Sequence, residues 1–250
     1  MSLTDRQRTE RPPAGAARVL VIVPARNEAD SIAGVIADIR SGVGADIVII
    51  DDGSGDGTGD IALAAGVEVL RMPFNVGIGG AMQTGFKFAA REGYDIAVQT
   101  DGDGQHDASF IPQLLAPLLA GRCDIVLGSR YLKDSGYRGS LGRRLGTAFF
   151  SRVLSLMLRQ PVTDATSGFR AVNRTLIEMF ADDYPRDFPE VEALLSTHMA
   201  GLRVEEIPVR MRLRGTGRSS ITSITSLYYM IKVLLALLVV RSRKRIERAG

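Results

Sequence analysis

The 250-residue chain is 45% hydrophobic with a single cysteine, Cys123; this suffices for one substantial core, excludes an intrachain disulfide and makes Cys123 a buried structural thiol in a reducing compartment. Two histidines beside that one cysteine argue against a zinc centre. Net charge is only +3, yet residues 203–250 hold eleven Lys and Arg against three Glu, so a basic end follows a net acidic body, the pattern of a protein that meets an anionic partner or presents a solvated basic face.

Residues 1–18 are rich in Arg, Pro and Ala without an apolar run and read as a disordered leader, not a secretion signal. A continuous apolar run at 19–23 stops at Pro24, and a helical pattern begins near Ala29. The alternation repeats: a strand at 46–50 with a helix over 58–65, a strand at 67–70 with a helix over 80–91, a strand at 94–98 with a Pro-punctuated helix over 109–119, and a strand at 125–127. Short β-branched runs separated by helices signal βαβ units, with strands buried on both faces of a mainly parallel sheet. The helix expected over 142–158 is amphipathic, with Leu145, Phe149, Val153 and Leu156 at helical spacing; this stripe packs over the sheet edge or lines an acceptor site. An extended piece at 167–172, helices over 173–180 and 189–200, and a strand through Val204, Ile207 and Val209 follow. Pro189 suits a helix first turn. Residues 231–240 are apolar except for Lys232, short of the ~20 that span a bilayer; with the basic cluster after them they suit a membrane interface, packing on the domain or an oligomer contact.

Functional groups of open parallel sheets collect beyond the carboxyl ends of the strands. Three strands here end in acidic or glycine-rich tips: Asp51-Asp52-Gly53, Asp101-Gly102-Asp103 and Gly128-Ser129-Arg130. Asp101 and Asp103, one residue apart with Gly102 keeping the backbone close, can hold Mg2+ or Mn2+ with a pyrophosphate completing the shell. The ion neutralises charge on a departing diphosphate. An Asp-x-Asp also fills ordinary turns, but Gln105, His106 and Asp107 add polar groups that a plain turn does not need. His106 is either a support or substrate contact or a surface turn residue. Asp52 can hydrogen-bond a base edge or ribose hydroxyl, whereas Asp56 or Thr58 can cap the following helix. The glycine string over 53–59 lacks both the dinucleotide fingerprint and the Lys of a phosphate loop, which disfavours nicotinamide cofactors and ATP. Asn75-Val76-Gly77-Ile78-Gly79-Gly80 opens a helix with glycines that cost about 1 kcal/mol each, so close packing or a ligand at the backbone is required there.

Taken in order, Pro24-Ala25-x-Asn27-Glu28, Asp51-Asp52-Gly53-Ser54, Asn75-x-Gly77, Asp101-x-Asp103, Gly128-Ser129-Arg130 and Asp164-x-x-Ser167-Gly168-Phe169-Arg170 resemble the inverting family 2 glycosyltransferases, within them the dolichyl- or polyprenyl-phosphate sugar synthases, over roughly residues 19–218. The resemblance implies an α/β fold of the glycosyltransferase A type, a mainly parallel nucleotide-binding sheet flanked by helices. It implies nucleotide contacts by Pro24, Ala25, Asn27, Glu28, Asp52, Gly77, Asp101 and Gly102, Mg2+ or Mn2+ on Asp101 and Asp103 with Gln105 near them, and Arg130 with residues 164–170 on the sugar and acceptor side. An acceptor lipid phosphate would meet Arg210, Arg212, Arg214, Arg218 and Ser219. The chain departs from the synthase pattern at Gly217-Arg218-Ser219-Ser220, where Gly-x-Ser-Lys is usual; Arg218 offers the charge with a different geometry.

The resemblance thus implies a catalytic domain over 19–218 that transfers a sugar, with inversion, from a nucleotide-sugar donor through placement and charge stabilisation. A tail over 219–250 lies at the cytoplasmic face of a membrane or against a separate membrane subunit, or makes a homo-oligomer. A polyprenyl phosphate is already anionic and needs no strong base; a hydroxyl acceptor does, and Asp164 and Glu190 are the candidates, Glu190 equally suiting a helix first turn. A non-catalytic nucleotide-sugar-binding membrane accessory protein is the competing class. Nucleic acid is not an expected partner, because no aromatic residues interleave with the basic ones and acidic strand tips repel a phosphate backbone.

Overall fold

The computed structural model describes residues 16–132, 141–158 and 160–212. The tail over 219–250, Arg214, Arg218, Ser219 and residues 1–15 of the expected leader lie outside them. At the end of the expected leader, the Arg18 N–H donates to Asp95 Oδ2 at 2.8 Å, and its guanidinium lies 4.4 Å from the Tyr94 ring centroid.

Seven strands, β1 (Val19–Ala25), β2 (Asp46–Asp51), β3 (Glu68–Arg71), β4 (Ile96–Gln99), β5 (Ile125–Ser129), β6 (Arg170–Asn173) and β7 (Val204–Pro208), form one sheet in the order β3-β2-β1-β4-β6-β5-β7. The helices are α1 (Ile32–Gly42), α2 (Thr58–Ala64), α3 (Gly77–Glu92), α4 (Ile111–Leu119), α5 (Leu141–Leu158), α6 (Arg174–Asp182) and α7 (Pro189–Met199). Pairings are parallel between β1 and β2, β1 and β4, β2 and β3, and β5 and β7. Only β6 is reversed, against both β4 and β5. The sheet is therefore mainly parallel, and the reversed strand begins at the edge where its neighbours end. That brings the segment 164–169, which feeds β6, beside the tips of β4 and β5.

Successive strand residues face opposite sides, and both sides are covered, so β1 and β2 read as unbroken apolar runs. Leu20, Ile22, Val48 and Ile50 pack with α3, α5, α6 and α7. Val21, Val23, Ile47 and Ile49 pack with α1, α2 and α4. Cys123 is buried at 3% exposure, and burial pushes its thiol up to about 11, consistent with a structural role.

Two expectations are corrected. Helix α3 starts at Gly77, ahead of the expected Gly80, because the Asp52 carboxylate accepts the Val76 and Gly77 N–H groups at 2.7 and 3.1 Å. In α5 the expected stripe divides: Phe149 and Leu156 are 40% and 83% exposed, Val153 packs partly buried against the core beside the buried Leu154 and Leu158, and the Leu145 side chain lies outside the described residues. Ser151 shares the buried face, its hydroxyl donating to the Thr163 carbonyl at 2.8 Å. Counting apolar residues missed a face that carries a satisfied serine.

Candidate active site

At the tips of β1 and β2, two loops are tied together. Asn27 adopts a left-handed conformation (φ 54°), which asparagine tolerates better than most residues. Its N–H donates to Ser54 Oγ and its Oδ1 accepts the Gly55 N–H, each at 3.0 Å. The Glu28 N–H donates to Thr58 Oγ1 at 2.9 Å. Asp56 caps α2, accepting the Thr58 N–H through Oδ1, and spends Oδ2 on the Ala29 N–H. Asp52, 6% exposed, stands at the head of α3 with both oxygens engaged. Pro24, Ala25, Asn27, Glu28, Asp52 and Gly77 are thus brought to one edge of the sheet.

The turn after β4 lies against this edge. A Cβ on Gly102 would meet the Ala25 Cβ at 3.2 Å and the Pro24 carbonyl oxygen at 3.4 Å, so glycine permits the approach. Ser31, a residue the sequence did not single out, donates from Oγ to the Gly102 carbonyl at 2.7 Å and also reaches Glu28 Oε2 at 2.9 Å. Asp103 Oδ1 accepts the Gln105 N–H at 3.0 Å. Asp101 is 43% exposed at its side chain and stands beside Gly168, where a Cβ would lie 3.3 Å from Oδ1. His106 is no surface turn residue: it is 7% exposed, and burial holds its imidazole down at about 4. Gln99 is 3% exposed, with an Oε1 that has no hydrogen-bond partner.

Asp101 and Asp103 suit a hard divalent cation. Both are partly exposed and offer oxygen only, and no group of three His, Cys, Asp or Glu among the described residues could enclose a metal. An ion that takes its remaining ligands from substrate phosphates fits such a pair.

On the far side of the cleft, Arg130 and Asp164 form a buried ion pair. Asp164 is 0% exposed; its Oδ2 accepts the Arg130 N–H at 3.0 Å and Nε–H at 2.6 Å, and its Oδ1 accepts Nη2–H at 2.7 Å. The Asp164 N–H donates to Glu206 Oε1 at 3.0 Å. Asp164 is therefore the anchor of Arg130. Arg170, 1% exposed, donates to the Ser167 carbonyl and, at 3.3 Å, to the Glu190 carbonyl. Glu190, in the first turn of α7, has its pKa raised by burial, with Arg170 opposing and Asp101 adding to the rise.

The expected acceptor-phosphate arginines divide. Arg210 is exposed beyond β7. Arg212 is paired within the chain: its guanidinium meets Asp38 and, at 3.1 Å, Asp107, while its N–H donates to the Gln105 carbonyl at 2.8 Å. It straps the segment after β7 to the turn that carries Asp101 and Asp103.

Residues 20–180 match the family described as Glycosyl transferase family 2. The chain is 32% identical over 215 residues to undecaprenyl-phosphate mannosyltransferase of Micrococcus luteus, covering 82% of this chain and 88% of that one. It is 30% identical over 227 residues to polyprenol monophosphomannose synthase of Mycolicibacterium smegmatis, covering 86% and 85%. Among solved structures, glucosyl-3-phosphoglycerate synthase from Mycobacterium tuberculosis, in complex with Mn2+, uridine diphosphate and glucosyl-3-phosphoglycerate, superposes with a TM-score of 0.68 at 26% identity, covering 90% of this chain and 80% of that one. The superposition shows a glycosyltransferase A-type fold, and the matched span establishes that the chain belongs to glycosyl transferase family 2, a family of sugar-transferring enzymes.

Proposed function

We propose that this enzyme takes a sugar from a nucleoside-diphosphate sugar, with Mn2+ or Mg2+ held by Asp101 and Asp103, and passes it with inversion to a hydroxyl of the acceptor, Glu190 serving as base. The observation that carries the choice of acceptor is Glu190: a carboxyl whose pKa is raised by burial, within electrostatic reach of Asp101 and Arg130. Such a group takes up a proton near neutral pH better than an ordinary carboxylate, and a hydroxyl nucleophile has a proton to lose. Pro24, Ala25, Asn27, Glu28, Gly77, Gly102 and the remaining lone pairs of Asp52 border the nucleotide. When bound, the ion supplies charge neutralisation for the departing diphosphate. Arg130, fixed by Asp164, adds a positive group on the sugar side. Support comes from the mycobacterial synthase, whose complexes hold Mn2+, UDP-glucose and phosphoglyceric acid.

A polyprenyl phosphate acceptor is the second reading, favoured by the mannosyltransferase and mannose synthase relatives. It rests on Arg210 and on Arg214, Arg218 and Ser219 outside the described residues, and it carries with it a peripheral membrane location. No helix of the described residues is long and apolar enough to cross a membrane. Mass spectrometry of products from a panel of nucleotide sugars, offered phosphoglycerate-type hydroxyl acceptors or vesicles containing polyprenyl phosphate, separates the two. The hydroxyl reading expects a glycosylated hydroxyl product that Glu190→Gln abolishes. Product on polyprenyl phosphate alone, unaffected by Glu190→Gln, overturns it.

A further inference from the structure

The turn bearing Asp101 and Asp103 is held from behind by the side chain of His106. The His106 ring lies nearly parallel to Phe169, 4.9 Å between centroids at 13°, and its backbone bridges to Met211. Its Nδ1 accepts the Asp101 N–H at 3.0 Å, so the ring hydrogen sits on Nε2. Thr100 Oγ1, 3.2 Å away, donates to the same Nδ1. The Nε2 edge faces Asp101 Oδ2 at 3.7 Å. One flat, immobilised ring thus addresses both the backbone and the carboxylate of Asp101. The next peptide is fixed separately by Ser31 on the Gly102 carbonyl.

We infer that His106 is a positioning residue for the divalent cation: by holding the Asp101 N–H on Nδ1 it sets where the Asp101 carboxylate stands in the cleft. The inference rests on the reading of Asp101 and Asp103 as the cation pair. Residues that orient a metal ligand typically change metal affinity tenfold to about a hundredfold when replaced.

The test uses the full chain as wild type, His106→Phe, His106→Asn and His106→Gln. Phenylalanine keeps a flat ring for Phe169 but has no acceptor; asparagine returns an acceptor near the Nδ1 position; glutamine places it near Nε2. Binding of Mn2+, alone and with UDP, is read from the electron paramagnetic resonance signal of the free ion, beside the melting temperature of each protein. His106→Phe and His106→Gln are expected to weaken Mn2+ binding by about tenfold or more, with His106→Asn within about threefold of wild type. The order of Mn2+ affinity is not expected to follow the order of melting temperatures. In turnover, the Mn2+ concentration for half-maximal rate rises while kcat at saturating Mn2+ is recovered. Unchanged Mn2+ affinity in His106→Gln or His106→Phe, or losses that simply track melting temperature, overturn the inference. A wild type that holds no Mn2+ with or without UDP overturns the cation reading of Asp101 and Asp103, and the role of His106 falls with it.

Discussion

Asp164 is wholly buried and accepts three N–H bonds from Arg130, itself 14% exposed at its side chain. Asp164→Ala leaves the guanidinium without this counter-charge, a loss of about 3–5 kcal/mol for buried pairs. The variant is expected to lower the urea midpoint at unchanged slope; wild-type stability would show that the pair does not hold this side of the cleft. As the proposed base, Glu190 would act only when deprotonated, and burial raises its pKa. The acid limb of the pH–rate profile is therefore expected above the ordinary glutamate value of about 4.3. Glu190→Gln is expected to remove that limb and to lower kcat by about a hundredfold or more. The linkage to stability has the opposite sense: the folded state binds this proton more tightly than the unfolded chain, so the contribution of Glu190 is fullest at acid pH and is lost as pH rises through the folded pKa. Spacing along the chain was enough to put Asp101 and Asp103 on one turn. Ser31 was not singled out, since it acts on a Gly102 carbonyl brought to it by packing between distant segments; for His106 the sequence left a support role, a substrate contact and a surface turn all open.

At the scale of elements, the N-terminus of α3 depends on a carboxylate from another strand. Asp52→Ala removes the acceptor of the Val76 N–H and one of two acceptors of the Gly77 N–H, which keeps Asn75 Oδ1 at 2.9 Å, and lost caps cost about 1 kcal/mol. A correspondingly lower melting temperature is expected, with amide exchange accelerated at Val76 and Gly77; unchanged exchange there would refute the capping role. Helix α5 shows the converse limit of sequence reading. Its apolar spacing identified a helix, but two faces shared that spacing, and the chosen stripe turned out to be exposed at Phe149 and Leu156.

For the whole molecule, the segment after β7 joins the turn that carries Asp101 and Asp103 through Met211, which bridges to His106, and Arg212. The Arg212 side chain is 44% exposed, and exposed pairs contribute about 1 kcal/mol or less. Arg212→Ala is accordingly expected to leave stability within about 1 kcal/mol of wild type and the KM for a phosphate-bearing acceptor unchanged. A large rise in that KM, measured in steady-state assays, would show that the guanidinium leaves Asp38 and Asp107 to meet the acceptor.

The sequence by itself determined the βαβ alternation, the two-sided burial of β1 and β2, the gathering of acidic tips at one edge and the cation-suited pair at Asp101 and Asp103. All of these follow from period, composition and short spacing along the chain. Only the tertiary structure decided that β6 runs backwards and delivers residues 164–169 to the cleft, that Asp164 belongs to Arg130, that Arg212 belongs to Asp38 and Asp107, and which face of α5 is packed. Those outcomes turn on which charged or polar group lies nearest in space, and proximity between distant segments is set by the packing of the whole sheet.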